Sequence, residues 1–175
     1  HLMGVPLVSS TLASLAKAGV SNPVLTSRAA AQLKRTGPEV LDAVGMQELA
    51  ALAMAFGKLQ TRDDKLFELF AESLLRRTKV RLVQEPCADL INIVHAFSKV
   101  HALHPRLFAA IAQVLLERFD DISVREVVKY LHAAAKVEYL PPPALAERIV
   151  QSLQTEKLVM LGVFDLLKLA TAARR

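Results

Sequence analysis

Lys17, Lys58, Lys99 and Lys136, with Arg174 at the end, recur at intervals of 41, 41, 37 and 38 residues. Seven and four positions before the successive lysines stand Ser10 and Ala13, Ala51 and Met54, Asn92 and His95, and Lys129 and His132. In a helix these positions share one face with the lysine. Helices stacked about 8–10 Å apart would set the lysines in a ladder of similar pitch. Such a ladder suits a phosphate backbone, with asparagine and histidine above it placed to touch bases. A plainer reading fits the same residues, because a cation in the last turn of a helix offsets the helix dipole. The dipole alone does not demand the same residue in every unit. A second basic group, Arg76, Arg77, Lys79 and Arg81, follows Lys34 and Arg35 one unit earlier. It reads either as a phosphate-binding edge or as a solvated helix end and loop.

Patterns that carry catalysis are missing. The chain has no Gly-rich phosphate loop, no G-x-S-x-G elbow and no HExxH. The pairs Asp63-Asp64 and Asp120-Asp121 fall at helix starts or loops, where carboxylates favour the N-terminal dipole. His101 and His104 have a His-x-x-His spacing with Cys87 nearby, but zinc needs three or four ligands in a defined geometry. His104, before Pro105, reads instead as a turn residue, and Cys87 as a half-buried small residue at a helix start. The expectation is a non-enzyme with no catalytic residues, no metal and no cofactor.

These side chains need elements to hold them. The position before each lysine is Ala16, Gly57, Ser98, Ala135 and, before Arg174, Ala173. Three positions back stand Ser14, Ala55, Ala96, Ala133 and Thr171. Both columns hold only small residues. A leucine returns eight or nine positions after each lysine, as Leu25, Leu66, Leu107 and Leu145. Matching columns at a fixed period are the signature of stacked repeats. The fold class expected is all-α, an α-solenoid of helix-turn-helix repeats of about 37–41 residues. The whole chain, 1–175, is then one array with units at 5–45, 46–86, 87–123 and 124–161, and a partial unit at 162–175.

Each unit reads as helix A, a turn and helix B. In the second, helix A spans about 46–59 with Leu49, Leu52, Ala53 and Phe56 at helical spacing. Asp63 is the expected N-cap of its helix B, which carries Leu66, Phe67, Phe70, Leu74 and Leu75. In the third, Pro86 suits the first turn of helix A, and His104-Pro105 opens helix B. Ser123 and Glu126 form a capping-box pattern in the fourth, and Pro141-Pro142-Pro143 marks its turn. In the first, helix A is polar at Ser9, Ser10 and Thr11, Asn22-Pro23 opens helix B, and a short extra helix is expected over 38–44.

Hydrophobic residues make up 53% of the chain and charged residues 22%, which excludes the disordered class. The net charge of +5 suits an acidic partner such as RNA without demanding one. With Cys87 the only cysteine, an internal disulfide is impossible. No membrane span is expected, since the best candidate, residues 1–16, is broken by Gly4, Pro6 and Ser9-Ser10-Thr11. The start at His1, with neither a signal peptide nor an Arg-rich transit peptide, leads to the expectation of a processed chain or an excised piece.

The stretch Leu90-Ile91-Asn92-Ile93-Val94-His95-Ala96-Phe97-Ser98-Lys99-Val100, followed by His104-Pro105-Arg106-Leu107-Phe108, resembles one group of families. So does Leu49-Ala50-Ala51-Leu52-Ala53-Met54-Ala55-Phe56-Gly57-Lys58-Leu59, followed by Asp64-Lys65-Leu66-Phe67. Both are similar to the helical repeats of organellar RNA-metabolism proteins: the FAST-kinase-like and RAP-domain proteins, the octotricopeptide proteins and the apicomplexan heptatricopeptide proteins. The resemblance covers residues 46–154 well and the ends loosely, and the fourth unit departs from it by placing Ala134 where the others have phenylalanine. No RAP domain is visible. The resemblance implies a mitochondrial or plastid location and a role in RNA processing, RNA stability or the ribosome.

The leading functional expectation is an organellar, mitochondrial RNA-associated repeat protein, an rRNA-binding component or assembly factor of the ribosome. With aromatics at only 5%, phosphate contacts rather than base stacking would dominate. The alternative is a protein-binding scaffold or accessory subunit of a mitochondrial complex. Carboxylates interrupting the lysine face would favour that alternative. Helix 162–174, apolar at Val163, Phe164, Leu166, Leu167 and Leu169, is expected to be covered by more of a parent chain or by another protein of a larger assembly.

Overall fold

The computed structural model describes residues 4–77 and 79–154, with positions 162, 165 and 170 beyond them. The expected helix 162–174 and its covering partner therefore lie almost wholly outside the described residues. Among the described residues every regular element is a helix. In chain order these are α1 Val5–Ala18, α2 Pro23–Thr36, α3 Pro38–Ala43, α4 Met46–Lys58 and α5 Asp64–Arg76. Then follow α6 Lys79–Gln84, α7 Cys87–Lys99, α8 Pro105–Glu117, a 3-10 turn Phe119–Asp121, α9 Val124–Lys136 and α10 Pro143–Gln154.

The boundaries repeat as strictly as the lysines do. In the first three A-to-B turns, an N-cap side chain five residues after the lysine accepts a hydrogen bond from a leucine amide of the following helix. Asn22 Oδ1 accepts from Leu25 at 3.0 Å, Asp63 Oδ1 from Leu66 at 3.1 Å, and His104 Nδ1 from Leu107 at 3.1 Å. Each satisfies an amide that the helix itself cannot. Ser123 and Glu126 close the expected capping box. Pro86 departs slightly from its expected place and is the N-cap of α7 rather than a residue of its first turn.

The A helices end alike too. The residue two after each lysine is left-handed: Gly19, Gln60, His101 and Glu138, with φ of 68°, 51°, 54° and 59°. The next amide reaches back across the turn, from Val20 to Leu15 O, Thr61 to Phe56 O, Ala102 to Phe97 O and Tyr139 to Ala134 O. This closes the last carbonyls of each A helix in one geometry. Only the first unit uses glycine for it, so the other three carry backbone strain at side-chain-bearing residues.

Packing follows these matched ends. The A helices α1, α4, α7 and α9 contact one another in chain order, and the B helices α2, α5, α8 and α10 do the same. The short helices α3 and α6 rest on the next B helix, α5 and α8 respectively. The small-residue columns sit at the A-to-A contacts. A methyl group added at Gly57 of α4 would come within 2.9 Å of the Ala96 carbonyl oxygen of α7.

Between the A and B helices runs a seam of rings. Phe56 meets Phe70 at 6.3 Å, Phe70 meets Phe67 at 5.9 Å, and Phe67 meets Phe97 at 4.9 Å. Phe97 meets Phe108 at 6.3 Å and Phe108 meets Tyr139 at 5.2 Å. Where the fourth unit replaces phenylalanine by Ala134, Tyr139 enters from the following turn and completes the seam. Tyr130 of the same unit is fully buried, and burial pushes its hydroxyl far above the ordinary ionisation range.

Candidate nucleic-acid interface

The lysine column lies on helices that touch in series. Lys17, Lys58, Lys99 and Lys136 each fall in the last turn of α1, α4, α7 and α9. Lys17 and Lys58 are exposed, while Lys99 and Lys136 are half-buried and have interactions within the chain. Above them, Asn92, His95, Lys129 and His132 are half-buried on the same face. The rows on α7 and α9 meet directly, since Lys129 Nζ donates to Asn92 Oδ1. Residues 37 apart in sequence are thus neighbours at the same register, as the spacing requires.

Carboxylates bear on what this face can bind. At eleven, seven and four positions before the lysine, and at the lysine itself, none of the four described A helices carries Asp or Glu. The acids Glu48, Asp89 and Glu126 stand in the first turns, at lysine minus ten. That is roughly 80° around the helix from the lysine row at 3.6 residues per turn. They offset the positive end of each helix dipole, as the lysines offset the negative end. Within the A helices the basic row is flanked by acid, but Asp165, beyond them, lies 4.0 Å from Arg125 at the first position of the row.

The second basic group divides. Arg76 ends α5 and makes a two-pronged pair with Asp42, at 2.8 and 3.0 Å. The hydrogen bonds from Arg76 hold the Asp42 carboxyl below the usual carboxylate range. Arg77 is buried, and its guanidinium donates to Val44 O at 2.6 Å. It is committed inside the protein and not presented to a phosphate. Lys79 and Arg81 belong to α6, a separate short helix and not the end of helix B. Arg81 lies 4.0 Å from Glu85.

Sequence spacing alone held a signal for Arg77 that pairing it with Arg76 obscured. Arg118 stands in the same column, 41 residues on, and donates to Val83 O and Glu85 O, both at 2.7 Å. Both arginines follow a B helix and reach back to carbonyls at the end of the preceding short helix, α3 or α6. Arginine suits this place because one planar fork can serve several oxygens.

His104 caps α8 through Nδ1, which leaves its Nε2 3.4 Å from Glu68 Oε1. Among the described residues no group of three His, Cys, Asp or Glu side chains is placed to hold a metal ion. Cys87, expected half-buried, is buried at the first position of α7, and burial pushes its thiol up. Among the described residues no helix is long and apolar enough to cross a membrane.

Asp63 joins two units, capping α5 while its second oxygen accepts from Lys34 of α2. Burial works against its ionisation, but the bonds from Lys34 and the Leu66 amide outweigh this and lower its pKa. A lowered folded pKa means the stabilisation is complete above the unfolded value near pH 4 and is lost as pH falls through the folded value. Asp63→Ala is expected to cost about 1 kcal/mol at neutral pH. Urea unfolding at successively lower pH should show this gap closing as pH falls below the unfolded value near 4 and through the lower folded one. A gap that persists there would assign the effect to packing and not to charge.

No family model and no curated protein matches this chain.

Proposed function

We propose that the chain is a run of an α-solenoid of helix-turn-helix repeats of about 37–41 residues, of the organellar kind it resembles. We assign it RNA association in the mitochondrion, or in a plastid, as an rRNA-binding component or assembly factor of the organellar ribosome. Binding would run mainly through backbone phosphates, with no catalytic step. The observation that supports this best is the row of cations at one register on α1, α4, α7 and α9, with no carboxylate in the rows that share its face.

The acids at lysine minus ten favour the second reading, a protein-binding scaffold, because they balance each A helix end to end. Ultraviolet crosslinking of the native assembly separates the two. RNA adducts on peptides from α7 and α9 support the RNA role. Adducts absent there, with protein crosslinks to the same face, would establish the scaffold.

A further inference from the structure

Two of the B-helix caps also reach the unit before them. Asp63 caps α5 through Oδ1 and accepts from Lys34 of α2 through Oδ2. His104 repeats the arrangement one unit on. Its Nδ1 accepts from the Leu107 amide of α8, and its Nε2 lies 3.4 Å from Glu68 Oε1 of α5. Each cap therefore ties its own helix to the preceding B helix. The chemistry differs, because a histidine stands where the first two units have Asn22 and Asp63.

An amide can donate only to a ring nitrogen that carries no proton. The bond from Leu107 makes His104 a neutral imidazole with its proton on Nε2, facing Glu68. A second proton has one place to go, Nδ1, and there it removes the acceptor. Histidine side chains make that change between about pH 5 and 8, where ordinary carboxylates stay ionised. From this geometry we infer that His104 is a proton-operated joint between α5 and α8. Neutral, it closes the first turn of α8. Protonated, it releases the Leu107 amide and becomes the cationic partner of Glu68 across the two units. The inference does not depend on what the protein binds.

The surroundings suit the role. A pocket of about 240 Å³ opens beside the imidazole, whose side chain is 15% exposed and so can exchange a proton with solvent. From the preceding unit Arg62, Asp64 and Glu68 line that pocket, and from its own turn His101. Arg106 stands in the first turn of α8. Asp64 is paired with Arg62 at 3.3 Å, which leaves Glu68 as the carboxylate facing the ring. Phe67 and Phe97 line the same pocket, so the joint sits beside the aromatic seam.

Nuclear magnetic resonance of the whole chain between about pH 7.5 and pH 5 tests this, through the His104 ring nitrogens and the exchange protection of backbone amides. At the upper pH Nδ1 should be unprotonated. At the lower pH both nitrogens should carry protons, and protection of the Leu107 amide should fall about fivefold, as for the loss of a cap. The Leu66 amide, capped by Asp63, is the internal reference and should change by less than about twofold. His104→Asn supplies the side chain that caps α2 and should hold Leu107 protection level throughout. Glu68→Gln removes the charge that favours the imidazolium and should lower the His104 midpoint by about 0.2–0.7 of a pH unit. A proton on Nδ1 at the upper pH, or Leu107 protection that tracks Leu66, would overturn the joint. So would a loss at Leu107 that persists in His104→Asn, since it would belong to another group such as His101. A midpoint unmoved by Glu68→Gln would overturn the link to α5.

Discussion

Phe97→Ala is expected to lower stability by about 3–5 kcal/mol. Phe97 is 1% exposed and stands at the middle of the aromatic seam. Its ring meets Phe67 of α5 edge-on at 4.9 Å and Phe108 of α8 at 6.3 Å. One truncation therefore removes contacts to the B helices of two successive units as well as opening a cavity. The close packing around it limits collapse into the void, which keeps the cost in the upper range for a buried aromatic. Urea unfolding with a common slope for both proteins measures it. A loss below about 1 kcal/mol would contradict the seam as described.

The second large effect is expected at Gly57. Valine there would have its Cβ within 2.9 Å of the Ala96 carbonyl oxygen and 3.2 Å of the Ala96 Cα. The obstacle is backbone, so it cannot swing aside, and α4 must move away from α7. Overpacking of this kind costs about 1–3 kcal/mol, and the added branch places Gly57→Val at the upper end. Gly57→Ala meets the same oxygen but recovers about 1 kcal/mol of helix propensity, so its net loss should be smaller. The same two substitutions at Gly45, which has nothing within 4 Å of a built Cβ, provide the comparison. Equal melting temperatures for Gly57→Val and the unmodified protein would mean that the two helices are not held at this distance.

Much of this was legible in the residues. Small columns, the returning leucine, the cap at Asp63 and the helix openings at Asn22-Pro23 and His104-Pro105 announce themselves by spacing, because steric fit and helix-end hydrogen bonds act locally. That His104 is itself a cap and not only a turn residue was not read. The capping box at Ser123 reads directly for the same reason. Less legible were features that depend on a neighbouring unit. Arg77 looks like one more surface cation beside Arg76, and only the carbonyl of Val44, brought to it by α3, shows that it is internal. Lys79 and Arg81 read with Arg76 and Arg77 as one helix end and loop, yet α5 stops at Arg76 and a separate α6 carries them. Left-handed Gln60, His101 and Glu138 give no compositional hint, since none is the glycine or asparagine that such a position favours. The fourth unit seemed to lack an aromatic at Ala134, and the ring that fills the gap, Tyr139, comes from another column.

For the candidate interface, periodicity brought Asn92, His95, Lys99, Lys129, His132 and Lys136 to one face, and the contact of Lys129 with Asn92 shows two of those rows meeting. Periodicity equally places the carboxylates Glu48, Asp89 and Glu126 aside, at lysine minus ten. The helix starts add that all three stand in the first turns of α4, α7 and α9.

The role of the lysine face is tested most directly by RNA affinity against salt for the unmodified protein and for Lys58→Glu, Lys99→Glu and Lys136→Glu combined. The unmodified protein should lose affinity steeply between about 50 and 200 mM salt, because each phosphate contact releases counterions. The triple reversal should abolish binding at every salt concentration while its helical circular dichroism is retained. Affinity that ignores both the salt and the reversal would contradict an RNA interface on this face.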